Sequence, residues 1–176
     1  PTFLVPIINP PFADNSPHSL WSPLMDDEKK IEERYKRIYN QLQTLLPKTR
    51  NKIARMATVA ALLQHKMPRF FWTGFYLLIE GELTVGPYQG PLACQVLEKN
   101  KGVCWAGVRS RKTIIVPDVH KFPDHIACDS RSNSEIVVPL FSKDRQVWAV
   151  LDIDSRRFDA FSEVDKEWLQ KIVRLI

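Results

Sequence analysis

The apolar and polar positions of the chain change period twice. From Ser22-Pro23, an N-cap followed by a proline suited to the first helical turn, Ile31, Tyr35, Ile38, Leu42 and Leu45 recur at helical spacing to about Leu46, with acids early and bases later. This predicts an amphipathic helix. A second follows Pro47, capped by Thr49, with Ile53, Met56, Ala60 and Leu63 on one face and its end before Pro68. From residue 71 the period becomes that of strands. Phe71–Ile79, Glu82–Gly86, Ala93–Leu97, Thr113–Val116, Glu135–Phe141 and Gln146–Asp154 are short and rich in aromatic and β-branched residues, and Gly81, Gly90, Gly102 and the Lys143-Asp144-Arg145 turn punctuate them. A short helix is expected at Gly102–Ser110. A last one starts at the Ser162 cap, with Asp165 three residues on, and carries Val164, Trp168 and Ile172 on one face beside Leu169, Val173 and Ile176. Helices at both sequence ends around a run of strands predict an α+β domain, an antiparallel sheet of about six strands with the N- and C-terminal helices packed on one face.

Residues 1–23 stand outside this pattern. They hold six of the 13 prolines and no hydrophobic period, which predicts an extended arm whose Phe3, Leu4, Val5, Ile7 and Ile8 pack along the domain or a partner. Residues 24–176 read as a single domain: helices over 24–66, sheet and loops over 70–155, a C-terminal helix over 162–176. Composition agrees. A chain of 176 residues, 44% hydrophobic and 26% charged, can bury one core, and no stretch approaches the roughly 20 apolar residues of a membrane span. The start has neither the basic residues nor the apolar run of a secretory signal, so a cytoplasmic protein without a membrane partner is expected.

Charge adds one restriction. The net +5 is confined to residues 1–70, with 11 Lys+Arg against 6 Asp+Glu, while residues 71–176 carry 14 of each. The surplus lies largely on polar helix faces, where aromatics do not alternate with the lysines, so no nucleic-acid partner is expected. All three cysteines, Cys94, Cys104 and Cys128, lie in the neutral part. An odd number cannot form a fully paired disulfide framework, which leaves free thiols, a metal site or redox chemistry.

In the strand Gln146–Asp154, alternation places Val147, Ala149, Leu151 and Ile153 on one face and Trp148, Val150, Asp152 and Asp154 on the other. A hairpin through Lys143–Arg145 then brings Glu135, at the start of the preceding strand, beside Asp152 and Asp154. Two readings are open. The acids are wet at a strand end, or they repel one another, raise at least one pKa and hold a cation or a proton for general acid work. Cys128 lies in the polar loop His125-Ile126-Ala127-Cys128-Asp129-Ser130, which leads into the same strand, and is either a small packed hydrophobe or a reactive thiol. Cys104 starts the short helix, where amide dipoles can lower a thiol pKa. The separations Cys94-x9-Cys104 and His125-x2-Cys128 do not reproduce structural zinc spacing. A hard cation on the acids, or a Cys–His hydrolase pairing Cys128 with His120 or His125, would each leave part of the set unused.

The motifs Phe75-Tyr76, Val85-Gly86-Pro87-Tyr88-Gln89-Gly90, Ala93-Cys94, Lys101-Gly102-Val103-Cys104, Val116-Pro117-Asp118-Val119-His120, His125-Ile126-Ala127-Cys128-Asp129, Ser132-Asn133-Ser134-Glu135 through Pro139-Leu140, and Val150-Leu151-Asp152-Ile153-Asp154-Ser155 occur in order. Together they resemble the free methionine-R-sulfoxide reductases, which are single GAF-domain enzymes, over roughly residues 70–165. The resemblance implies a GAF-like fold, Cys128 as nucleophile, Cys94 as resolving thiol and Cys104 as an auxiliary recycling thiol. It implies that Glu135, Asp152 and Asp154 engage the substrate and that Trp72 and Tyr76 line its pocket; without it, these two read equally as core aromatics. Trp105 departs from the family, which usually has a small residue there. Also implied are no bound cofactor or metal, an external thioredoxin-like dithiol that draws ultimately on NADPH, and preference for the R epimer. A homodimer is compatible with it. The competing reading is a non-catalytic GAF module that binds a small ligand or partner.

The residues themselves suit the implied chemistry. A sulfoxide has an electrophilic sulfur and a poor leaving oxygen, so attack by a thiolate needs that oxygen protonated or hydrogen-bonded. A carboxyl whose pKa its neighbours raise can do this. Cys128 would become a sulfenic acid, Cys94 would form the disulfide, and a dithiol would reduce it. The acids would also pair with the ammonium of a free amino acid, while its carboxylate would meet backbone amides of the loop from Ile126 and Ala127 to Asp129.

Overall fold

The computed structural model describes residues 22–125 and 128–176; residues 1–21, most of the Pro-rich arm, and the Ile126-Ala127 pair lie outside the described residues. Four helices and six strands follow in chain order: α1 (Ser22–Leu45), α2 (Lys52–Lys66), β1 (Trp72–Ile79), β2 (Glu82–Gln89), β3 (Val96–Leu97), α3 (Gly102–Ser110), β4 (Ile114–Val116), β5 (Ser134–Phe141), β6 (Val147–Ser155) and α4 (Glu163–Val173). The strands form one sheet in the order β3-β2-β1-β6-β5-β4, and every neighbouring pair is antiparallel.

Both faces of the sheet are covered. β5 is buried at every position but its last, because its sequence is apolar on both parities. On one face Phe75, Ile136, Val138, Leu151 and Ile153 pack against Tyr35, Ile38 and Leu42 of α1, Met56, Val59 and Leu63 of α2, and Leu169 and Ile172 of α4. Each such burial contributes roughly 1.5–3 kcal/mol. The expected placement of the terminal helices on one face therefore holds. The opposite face carries a second cluster, in which Trp72, Tyr76, Val137 and Val150 meet Val103, Cys104 and Trp105 of α3. No helix among the described residues is long and apolar enough to cross a membrane.

Several local expectations are corrected. The cap of α2 is Asn51, whose Oδ1 accepts from the backbone N–H of Ile53 and Ala54, while Thr49 Oγ1 accepts from the Asn51 amide just before it. Ile53 then faces solvent at 50% exposure, and Val59 takes its place in the core. Leu45 is likewise exposed and Leu46 buried, since the chain tightens into a single 3-10 turn there. β2 runs on to Gln89, whereas β3 shrinks to two residues. The alternation of β6 holds from Ala149 to Asp154 but fails at its start. Phe141 pairs with Val147 and Leu140 with Ala149, so Trp148 is an extra residue, and it packs toward the helix-covered face while Val147 joins the other.

The Ser162–Asp165 capping box is present as expected. Asp165 does more than cap. Its buried carboxylate also accepts from Tyr35 Oη at 2.6 Å and from Arg69, which ties α4 to α1 and to the entry of β1.

A thiol and carboxyl pocket on the α3 face

Strand register assembles the floor of the pocket. β5 and β6 pair so that Glu135 stands opposite Asp154, and β1 places Trp72 on the other side of Asp154. One row further along, Asp152 lies between Val137 and Gly74. The three acids therefore meet, as expected. They are not wet. α3 and the segment after β4 cover them, leaving Glu135 at 6% and Asp152 at 7% exposure and Asp154 half-buried. Burial pushes all three carboxyls well above the ordinary range; the charge of Asp154 adds to Glu135, that of Glu135 to Asp152, and that of Asp152 to Asp154. Asp152 Oδ1 has no hydrogen-bond partner. A buried oxygen of this kind is costly unless it receives a proton donor.

Cys104 closes the floor from α3. Its sulfur and one oxygen each of Glu135 and Asp152 lie within 4.8 Å of one another, the one cluster among the described residues with the spacing of metal ligands. Its thiol pKa is pushed up rather than down, first by burial and then by the Asp152 and Glu135 charges, so the expected effect of the helix start is outweighed. At so deep a position, desolvation exceeds an amide dipole.

The mouth carries the other two thiols. Cys94 and Cys128, 34 residues apart, are joined in a disulfide with their Cα atoms 5.6 Å apart. Cys94 packs against the apolar cluster beneath it, whereas Cys128 is exposed. Tyr76 Oη donates to the Cys94 carbonyl at 3.2 Å. Trp72 forms the wall, stacked between Tyr76 and Tyr88 with ring centroids 5.8 and 5.4 Å away. Its indole lies flat over β1 because Gly74 has no side chain; a Cβ there would overlap the ring and Tyr88. The buried indole Nε1 has no hydrogen-bond partner.

Ile126 and Ala127, expected to meet the substrate carboxylate, lie outside the described residues. The two histidines separate. His120 turns to Asn133 Oδ1 at 3.0 Å, and His125 enters the pocket with Nε2 3.7 Å from Glu135 Oε2, its pKa lowered by burial. His125, weighed in the sequence only as a metal ligand or hydrolase base, lines the pocket, and Tyr88 and Ser132, which bonds to Asp154, are site residues that pattern reading does not single out. Each sits inside a motif already quoted, but nothing in their spacing tells a pocket side chain from a surface one.

Comparison with known proteins places this arrangement. Residues 54–176 match the GAF domain family. The chain is 41% identical over 133 residues to the free methionine-R-sulfoxide reductase of Saccharomyces cerevisiae, covering 72% of this chain and 74% of that one. It belongs to that family of GAF-domain proteins. The GAF domain-containing protein A of Dictyostelium discoideum is 46% identical over 146 residues, covering 82% and 91% of the two chains. The crystal structure of the Neisseria meningitidis free methionine-R-sulfoxide reductase in complex with its substrate superposes with a TM-score of 0.77 at 39% identity, covering 80% of this chain and 84% of that one. Within the family frame, the acids on the floor and the disulfide at the mouth face one volume, lined also by Trp72, Tyr76, Cys104 and His125.

Proposed function

We propose that this chain reduces free methionine-(R)-sulfoxide to methionine with thiols as the electron source. The observation that carries the proposal is the Cys94–Cys128 disulfide at the mouth of a pocket floored by three carboxyls, Glu135 and Asp152 buried and Asp154 half-buried, whose pKa values burial raises. Family membership supports it, since the yeast and Neisseria relatives carry that activity in their names.

In the reduced protein the sulfoxide oxygen points to the floor, where a carboxyl of the trio, kept neutral by burial, donates its proton as charge moves onto that oxygen. The Cys128 thiolate attacks the sulfur. The protonated oxygen leaves as water and the S–O bond breaks, giving a Cys128–methionine sulfonium. Water then attacks the Cys128 sulfur and loses a proton, the S–S bond breaks with its electron pair on methionine, and Cys128 is left as a sulfenic acid. The Cys94 thiol then displaces water and forms the disulfide. An ionised member of the trio pairs with the substrate ammonium, which explains why a free amino acid is selected, because a peptide-linked methionine brings no such charge. Cys104 acts as an auxiliary thiol and holds its proton beside Asp152. Recycling needs a dithiol protein of thioredoxin type, and its thiolate attacks the exposed Cys128 sulfur so that the packed Cys94 leaves. The chemistry runs on thiols and carboxyls alone.

An assay of the separated R and S epimers of free methionine sulfoxide, beside a peptide-linked sulfoxide and with excess dithiol, tests the proposal. Methionine formed from the free R epimer alone is expected. Equal turnover of the peptide-linked sulfoxide would remove the ammonium argument, and no turnover of either free epimer would leave a binding module.

A further inference from the structure

A second pocket lies at the far end of the same strands, on the helix-covered face. It opens between the β5–β6 hairpin, the α3–β4 connection, the start of α2 and the last turns of α4, and encloses about 500 Å3, within the range of small-molecule sites. Phe141 lies six positions along β5 from Glu135, roughly 20 Å, and Trp148 lies four positions along β6 from Asp152, roughly 13 Å. The reductase chemistry does not use this pocket.

Its lining contains five cationic side chains, Lys52, Arg111, Lys112, Lys166 and Arg174, and no Asp or Glu side chain. Lys166 is paired with Glu163 at 2.8 Å, and the other four have no carboxylate partner among the described residues. Like charges converging on a concave surface repel one another and raise the local concentration of anions. Aromatic faces stand among them. Phe141 leaves 45% of its surface to solvent, with the Arg111 guanidinium carbon 5.7 Å from its ring centroid, and Lys52 Nζ sits 3.8 Å over the Trp148 ring. The bulge in β6 is what turns Trp148 to this side, and bulges that re-aim a side chain gather near functional sites. Cations without a carboxylate partner, Arg111 held in place by the Arg145 carbonyl at 2.5 Å, beside two aromatic rings suit a ligand with several negative charges and a planar group.

From these features we infer that this pocket binds a nucleoside phosphate. Arg111, Lys112 and Arg174 take the phosphate oxygens through charge-assisted hydrogen bonds, and the base lies on Phe141 beside Trp148.

Calorimetric titration of the intact chain with ADP, inorganic pyrophosphate and adenosine tests the inference. ADP binds at one site, pyrophosphate about tenfold more weakly because stacking is lost, and adenosine more weakly still. Phe141→Ala brings ADP down to the level of pyrophosphate and leaves pyrophosphate unchanged. Lys112→Ala and Arg174→Ala, both at exposed positions, weaken both phosphates by about tenfold with unaltered melting temperature. Cys128→Ser keeps the ADP affinity, and Arg174→Ala keeps the turnover of methionine sulfoxide, so the inference and the reductase proposal fail separately. Absence of saturable ADP binding, an ADP affinity unaltered by Arg174→Ala, or pyrophosphate binding as tightly as ADP would each overturn it. So would a poly-glutamate peptide that binds where ADP does not, because the surface would then serve an acidic protein partner.

Discussion

Replacing Asp152 by Asn should make the protein more stable relative to wild type as pH rises, at the expense of its chemistry. Asp152 is 7% exposed, and its carboxyl is pushed up by burial first and by Glu135 second. The unfolded chain loses this proton near the ordinary value of 3.8, while the folded protein keeps it to a higher pH. Between those two values the native state binds more protons, so wild-type stability falls with rising pH. One group that titrates fully in one state only gives a slope of about 1.4 kcal/mol per pH unit. The amide that Asp152→Asn introduces does not titrate in this range, so the stability difference, variant minus wild type, should climb by up to that amount per unit above about pH 4 until the folded pKa is passed. Relief of Asp154, which the Asp152 charge also raises, adds to the climb. Any change in packing or hydrogen bonding that the substitution brings shifts the difference by a constant and leaves its slope alone. The assay is urea unfolding of both proteins at several pH values from about 5 to 8, with the Cys94–Cys128 disulfide intact in each. A difference that is flat, or that declines with pH, would refute the claim that this acid is held protonated by the fold. Turnover of the same variant should fall by about 100-fold or more if the carboxyl donates the proton.

Three further outcomes follow from the geometry. Cys128→Ser should abolish even the first equivalent of methionine, whereas Cys94→Ser should yield one equivalent and then stall; equal loss of the first turnover in both, read by quenched-flow product analysis, contradicts the roles assigned. A thioredoxin-type dithiol with its second cysteine changed to serine should be trapped on Cys128, and peptide mapping that finds it on Cys94 would reverse the direction of recycling. Gly74→Ala forces a Cβ into the Trp72 indole and Tyr88, so it should cost about 1–3 kcal/mol in chemical denaturation and raise KM for the sulfoxide. An unchanged KM there would detach the Trp72 wall from substrate binding.

Period and punctuation locate the helices and strands here to within a few residues, because each element has a buried stripe long enough to show. The carboxyl trio is also legible, since a short hairpin fixes which strand end meets which. Its burial is not. Asp152 and Asp154 look the same in sequence whether the strand ends in water or under a helix, and only the docking of α3 decides it. The raised thiol pKa of Cys104 escapes for the same reason, because a helix start is visible in sequence and the desolvation around it is not. Asp165 shows a further limit. Its capping role is written four residues wide in Ser162–Asp165, but Tyr35 is 130 residues away in the chain, and no local pattern announces that a cap will also anchor α1.

The extra residue at Trp148 joins these threads. Side chains alternate along a strand, so every position of β6 is tied to every other unless a bulge intervenes. Counted back from the acid end without the bulge, Trp148 would share a face with Asp152 and Asp154 and would bring a large indole toward Val150 and α3, while Val147 would face the helices. With it, the acid end keeps its register against Glu135 and Trp72, and the hairpin end is free to present Trp148 to α2 and the basic pocket. The bulge thus lets one strand serve two faces that demand opposite parities. A ligand on the basic pocket would act on the same strand that carries Asp152 and Asp154, but with the register reset between them it need not shift the acids to bind, which is why the two sites are expected to load independently.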